Sequence, residues 1–280
     1  MIGIARTWQA AFLGWTGRVT AVLFILSLPG GRALADISNT NPSPAPLKID
    51  LASPAVMTGT FYALGSQRKT ILFKYRRVAT RAGDLIRVEQ TFALPSGAVA
   101  CRENIFYQNG ELLSYDMADL RSGARGSILV EPDPQKPKTQ RLQLCYVPDG
   151  TDTAKTRKNT EPLQPNTLIS DTIYPFILDH WEELSQGGQV KFHFVSLDPA
   201  ATFNFRLVRD STSVWQGQPV VRIKMEPANF LLSHWIRPIY FDLEKAAPHR
   251  IFSYTGRTTP RNNINGDWKF VDAEAVFDWP

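Results

Sequence analysis

Alternating apolar and polar residues dominate the chain from residue 58 onward. The alternation is clear over residues 71–76 and 86–92, and it returns over 190–194, 203–208 and 221–226. A period of two gives each strand one apolar face. The pattern predicts on the order of ten strands of ordinary length.

Turn residues separate the apolar runs. Arg81-Ala-Gly-Asp84 and Asn109-Gly110 have the composition of hairpin turns, so consecutive strands are expected to pair antiparallel. The longer polar stretch near 148–167 is expected to be a mobile surface loop. Because the strands on both sides of it have the same character, residues 57–280 are expected to form a single β-rich domain.

One principal helix is predicted directly after that loop. Four apolar residues fall at spacings of four, four and three, which places them on one stripe: Ile173, Ile177, Trp181 and Leu184. Gly187-Gly188 ends the pattern, and Asp171 is the candidate N-cap. The predicted fold is therefore mainly β, a curved antiparallel sheet or incomplete barrel with this helix covering its concave face.

The first 35 residues are interpreted as a signal peptide. Arginines precede an apolar run over 19–28, and Ala33-Leu34-Ala35 supplies a cleavage pattern before Asp36. A spanning helix needs about 20 apolar residues, and this run is shorter. Upstream apolar residues leave an uncleaved anchor as the alternative. Prolines over 36–56 indicate an extended tether, and the body is expected to be exported, in a bacterium to the periplasm, with no stable transmembrane span after cleavage.

Charge argues against nucleic acid as a partner. Loss of residues 1–35 removes three arginines and no acidic residue, which lowers the formal net charge from +5 to +2. A nucleic-acid-binding protein is expected to keep a clustered basic surplus. Short basic groups such as Arg76-Arg77 and Lys155-Thr-Arg-Lys158 are interpreted as solvated strand faces and a loop.

The two cysteines, Cys101 and Cys145, are predicted to form a disulfide. Both lie in strand-like segments of the exported part, where oxidising conditions preserve such bonds. A bond between them would restrict the unfolded chain by roughly 4 kcal/mol. It would also require the two strands to be neighbours.

The sequence contains no recognisable catalytic, metal or cofactor motif. Its four histidines are dispersed, and it lacks the nucleophile elbow, the phosphate loop and the dinucleotide glycine fingerprint. No catalytic residue, metal ligand or cofactor is therefore assigned. An enzyme is the third hypothesis, with His193 and a nearby carboxylate as its centre.

The order of elements resembles that of secreted bacterial half-barrel β proteins. The resemblance covers about residues 58–260 and includes the helix introduced by Asp171-Thr-Ile-Tyr-Pro-Phe-Ile. It also includes a late strand pair through Pro238-Ile-Tyr-Phe-Asp-Leu and Ala247-Pro-His-Arg-Ile-Phe-Ser-Tyr-Thr-Gly256. The group contains uncharacterised periplasmic families and, more remotely, lipoprotein-carrier proteins. It implies an incomplete barrel around a helix, which in some members holds an acyl chain.

Two functions are compatible with this sequence. The first is an envelope protein that binds a lipid or another apolar or amphipathic molecule in the concavity of the sheet. The second is a structural or protein-interaction component without a small ligand, using its edge strands to contact an envelope protein. The candidate ligand-lining residues of the first function are Ile177, Trp181, Phe192, Phe194, Phe203, Phe205, Trp235 and Tyr240.

Overall fold

The computed structural model describes residues 50–150, 153–229 and 236–279. The predicted signal peptide, most of the predicted tether and Trp235 lie outside the described residues. The strands of the described part are β1 (Val56–Ala63), β2 (Ile71–Ala82), β3 (Leu85–Ala93), β4 (Val99–Gln108), β5 (Glu111–Asp119), β6 (Arg125–Asp133), β7 (Lys136–Val147), β8 (Arg157–Pro162), β9 (Thr167–Leu168), β10 (Gln189–Ser196), β11 (Ala201–Trp215), β12 (Gln218–Pro227), β13 (Ile239–Glu244), β14 (Ile251–Arg257), β15 (Asn262–Ile264), β16 (Asp267–Lys269) and β17 (Asp272–Asp278). Its α-helices are α1 (Ile173–Asp179) and α2 (Trp181–Ser185), and single 3-10 turns lie at Thr153–Lys155 and Ser170–Thr172.

Fifteen of these strands form one curved, open sheet. Their order is β8-β7-β6-β5-β4-β3-β2-β1-β17-β14-β13-β12-β11-β10-β9. Neighbours pair antiparallel except β9 and β10, which are parallel. The remaining strands, β15 and β16, form a separate hairpin. The predicted fold class, mainly β with an incomplete barrel, is confirmed.

The predicted hairpin turns are confirmed at both positions. β2 ends at Ala82 and β3 begins at Leu85, so Gly83 and Asp84 of the predicted turn join the two strands. Asn109 and Gly110 join β4 to β5 with φ values of 53° and 81°. Positive φ at both central residues is the conformation that matches the twist of a two-residue hairpin, and it explains why Asn-Gly stands there.

The sheet rolls until its two ends approach each other. Arg157 of edge strand β8 donates to the Asp198 carboxylate, in the turn after β10, at 2.8 Å. Thr202 of β11 donates to Glu161 of β8. A Cβ built on Gly126 of β6 would lie 2.6 Å from the Leu197 side chain, so any larger residue at this position would require Leu197 to move. Side chains join the two ends, while the strand order itself remains open.

The predicted helix lies on the concave side of this sheet, as two short consecutive segments. α1 ends at Asp179 and α2 begins at Trp181. Ile177 and Leu184 of the predicted stripe are fully buried and belong to the same core as the inner faces of the strands. Within the described residues, no helix has the length and apolar character needed to cross a membrane.

The structure differs from the sequence-based expectations at the predicted loop, at the predicted tether and at the start of the helix. Residues 157–162, inside the segment expected to be a loop, form edge strand β8. Leu51, inside the predicted tether, is buried in the core. Asp171 does not cap the helix: Thr172 is the N-cap of α1, and no side chain donates or accepts a capping hydrogen bond there.

Candidate functional site

A row of mostly polar side chains crosses the inner face of the sheet. Arg77 of β2 lies opposite Gln90 of β3, and Gln90 lies opposite Glu103 of β4. The row continues through Met117 and Gly126 to Tyr146 of β7, and Arg157 of edge strand β8 follows it. Arg77, Gln90 and Glu103 are all buried. We call these three residues together with Tyr146 the inner polar row.

Asp171 connects the inner polar row to the helix. The guanidinium of Arg77 donates from Nε to Oδ1 of Asp171 at 2.7 Å and from Nη2 to Oδ2 at 3.3 Å. Gln90 donates to Oδ1 at 2.6 Å, and the Tyr107 hydroxyl donates to Oδ2 at 2.8 Å. Both carboxylate oxygens therefore have two donors each. The turn that precedes α1 is fixed to β2, β3 and β4 by these contacts.

Arg77 also holds the segment that enters the fold. Its Nη2 donates to the carbonyl of Leu51 at 2.7 Å, and its Nη1 donates to the carbonyl of Pro54 at 2.8 Å. Burial acts to lower the pKa of Arg77, but the Asp171 carboxylate outweighs it, so the pKa is raised. Burial and then Asp171 raise the pKa of Tyr107. Arg77 stays charged and Tyr107 stays a donor over the accessible pH range.

The carboxyl group of Glu103 lacks a regular hydrogen-bond partner, as does the hydroxyl of Tyr146 farther along the inner polar row. The Glu103 side chain is fully buried, and neither oxygen makes a hydrogen bond of regular geometry. Burial raises the pKa of Glu103 to about 7, and the nearby Thr259 and Tyr115 hydroxyls offset part of that rise. A buried carboxyl group with such a pKa changes charge near neutral pH.

A segment over residues 258–271, which we call the cap segment, closes the interior next to this row. The backbone N–H of Arg261 donates to Asp119 at 3.0 Å. The Arg261 guanidinium lies 5.9 Å from the centre of the Tyr146 ring, and that of Arg121 lies 5.2 Å from the Trp268 ring. Cation–π contacts and a carboxylate thus attach the cap segment to β5 and β7.

The predicted ligand-lining residues fall into three groups. Ile177, Phe192 and Phe205 are buried at 0%, 2% and 7% exposure, and the Phe192 and Phe205 rings lie 6.1 Å apart. Half-buried residues that pack against the same core form the second group: Trp181, Phe194 and Phe203. Tyr240 is separate, with its ring 5.6 Å from the guanidinium of Arg222.

The predicted disulfide is wrong, because both cysteines are free thiols. β5 and β6 lie between β4, which carries Cys101, and β7, which carries Cys145. Three strand intervals of about 4.8 Å separate the two backbones by roughly 14 Å, about twice the limit for a disulfide. Cys101 also faces the core, and burial followed by Glu103 raises its pKa, whereas Cys145 is partly exposed.

Two of the histidines, His180 and His249, have structural environments. His180 Nδ1 lies 3.0 Å from the carbonyl of Phe176, and His249 stacks on Trp181 with ring centres 4.0 Å apart. In the described ranges His193 has no ion-pair partner, and no group of three histidine, cysteine or acidic residues is arranged to hold a metal. The structure brings no carboxylate to His193 within these ranges.

The sequence interpretation missed all of the residues that bind Asp171. Arg77 was assigned to a solvated strand face, yet it is 4% exposed. The available signal is the register: Arg77, Gln90 and Glu103 each stand at a position where the alternation calls for an inward-facing apolar residue. Three such exceptions on consecutive strands predict a buried polar cluster.

Comparison with known proteins finds a solved structure that is similar to this chain. No family model and no curated protein matches the chain. A solved structure, the β-barrel-like protein of a domain of unknown function, DUF1849, from Brucella abortus, is 10% identical and has a TM-score of 0.45. The match covers 80% of this chain and 96% of that one.

Proposed function

We propose that this chain is an exported envelope protein that acts as a rigid interaction module, contacting another envelope protein through the open edge of its sheet. The observation that carries the proposal is the filled interior. Ile177, Phe192 and Phe205, which a ligand would have to touch, are instead buried against one another and against the core. A protein that binds a ligand in its interior needs free volume beside these side chains. A protein that binds a partner at its surface needs only a well-packed core.

Edge strand β8 is the surface offered to the partner. One side of β8 pairs with β7 through residues 157–162, and the opposite side carries no strand in the described ranges. Its side chains are largely exposed. An open edge presents unpaired N–H and C=O groups that accept a partner strand. Lys158 and Pro162 limit this pairing to a partner with matching charge and register, which protects the edge from aggregation.

Binding of an amphipathic molecule is the second candidate function, and one observation favours it. The interior contains Glu103 without a regular hydrogen-bond partner, next to the aromatic side chains of the core. Such a place suits a ligand that has an apolar body and a polar end. Ligand entry would require α1 and α2 to move away from the sheet, against the four hydrogen bonds at Asp171.

Photo-cross-linking in intact cells separates the two functions. A photoreactive residue at Thr160, on the open edge, should give a discrete protein adduct in the envelope fraction. The matched control carries the photoreactive residue in place of Thr212, which is exposed on the β11–β12 hairpin. This control should give no protein adduct. Lipid extraction of the purified native protein is run in parallel. A stoichiometric lipid without an edge-specific adduct would refute the interaction module and favour the ligand-binding function.

A further inference from the structure

A shallow depression lies on the outer face of the sheet, across β4, β5, β6 and β7. Its volume is about 500 Å³. Arg102, Ala118 and Arg125 form one register row across it, because Arg102 pairs with Ala118 and Ala118 pairs with Arg125. The depression exists because the residue between the two arginines has only a methyl side chain.

The two arginines can converge on one ligand. Two strand intervals of about 4.8 Å place their Cα atoms roughly 10 Å apart, within the combined reach of two extended arginine side chains. Both side chains are exposed, and in the described part of the chain neither forms an ion pair. Their guanidinium groups are therefore free to bind an anion from opposite sides.

The next register row supplies further polar groups. Asn104, Asp116 and Ser127 face each other in sequence across β4, β5 and β6, and all three line the depression. Two guanidiniums, an amide and a hydroxyl provide enough donors for the oxygens of a phosphate group in either a monoester or a diester. Asp116 can accept a hydrogen bond from a hydroxyl or ammonium group on the same ligand.

We propose that the depression between Arg102 and Arg125 binds the phosphate of a phosphate ester that also carries a hydroxyl or ammonium group. The ester can be a soluble metabolite or the headgroup of a lipid, since both offer the same chemistry. Guanidinium groups recognise phosphate with several charge-assisted hydrogen bonds, which explains the use of arginine at both positions. The site is independent of the edge of β8 and does not rest on the proposed interaction function.

Cys145 provides an internal probe of this site. Its partly exposed thiol lines the depression and lies opposite Ser127, while Cys101 is buried on the inner face. The rate of Cys145 alkylation by iodoacetamide is measured with and without glycerol phosphate, at ionic strength matched with chloride. At a phosphate concentration about ten times Kd, alkylation should slow by up to about tenfold.

Variants of the two arginines test the assignment. Arg102→Gln and Arg125→Gln should each abolish the protection of Cys145. Arg76→Gln is the matched control, because Arg76 is an exposed arginine in the same outer row, paired with Thr91, outside the depression. Thermal denaturation checks that each variant is folded. Equal loss of protection in all three variants, or protection that survives both depression variants, would overturn the proposal.

A second arm identifies the source of the phosphate. Vesicles of phosphatidylglycerol in phosphatidylcholine replace glycerol phosphate in the same assay. Protection by vesicles alone would assign a lipid headgroup, and protection by glycerol phosphate would assign a site open to soluble esters. Absence of protection in both arms would refute a phosphate site.

Discussion

Replacing Glu103 with glutamine should make the folded protein more stable above neutral pH and leave it nearly unchanged in acid. The carboxyl group is buried and has no regular hydrogen-bond partner. Its charged form is therefore poorly solvated in the folded state, and burial raises its pKa from 4.5 to about 7. Glutamine has almost the same shape as the protonated carboxyl group and never ionises.

The sign and size of the effect follow from linkage. Between pH 4.5 and about 7 the folded state holds a proton on Glu103 that the unfolded state has released. The free energy of unfolding therefore falls as the pH rises through this window and is constant beyond it. One pKa unit corresponds to about 1.4 kcal/mol, so the full loss is about 3 kcal/mol. The side chain is fully buried, so solvent screening does not reduce this figure substantially.

Urea denaturation of wild type and Glu103→Gln at about pH 5 and about pH 8 measures this loss directly. The stability difference between the two proteins should grow by roughly 2 to 3 kcal/mol in favour of the variant between these pH values, because a small part of the full loss has already occurred at about pH 5. Glu89→Gln is the matched control, since Glu89 lies on the neighbouring strand with an exposed side chain. A difference between wild type and Glu103→Gln that stays constant with pH would refute the buried, titrating carboxyl group.

Three further predictions concern the other buried and exposed groups. Arg77→Met should destabilise the fold by about 3–5 kcal/mol in urea denaturation, because it leaves the Asp171 carboxylate buried without its cation, and a loss below about 1 kcal/mol would contradict this. Unreduced native protein should have the mass of the dithiol form, with Cys145 but not Cys101 alkylated, and a mass two hydrogens lower would contradict the free thiols. Arg261→Ala should speed amide hydrogen exchange in β15 and β16, because the free energy of local unfolding there falls by about 1–2 kcal/mol. Unchanged exchange would show that the stability of the cap segment does not depend on this side chain.

The period-two pattern predicted most of the fold because it reports directly which face of a strand is buried. Strands β2, β3, β10 and β12 follow the alternation of their sequence, and both predicted turns are present. The pattern missed β8, because a largely exposed edge strand has no apolar face to reveal. A short polar strand at the edge of a sheet therefore shows no alternation of apolar and polar residues by which it could be predicted.

The sequence could not predict the partners of Asp171, because they arise from long-range contacts. An aspartate shortly before a helix is typical of an N-cap, and local sequence gives no sign that its carboxylate bonds to distant strands. In the structure its carboxylate bonds to Arg77, Gln90 and Tyr107, which are 94, 81 and 64 residues away in the chain. The energetic reason is burial: a guanidinium inside the fold requires a carboxylate, whereas a helix terminus can use other groups or water.

The inner polar row and the outward-facing row of Arg102, Ala118 and Arg125 are offset by one residue along β4. This offset constrains the register of β4 against β3. On β4, Arg102 faces outward while Glu103 faces the interior. A slip of one residue against β3 would bring Arg102 inside, away from any acceptor, and would take Glu103 out to solvent. Asp171 accepts hydrogen bonds from β2, β3 and β4 at once only in the observed register. The buried contacts of β4 therefore hold Arg102 on the outer face, where the proposed phosphate site requires it, and the pairing of Arg125 with Ala118 places Arg125 in the same row.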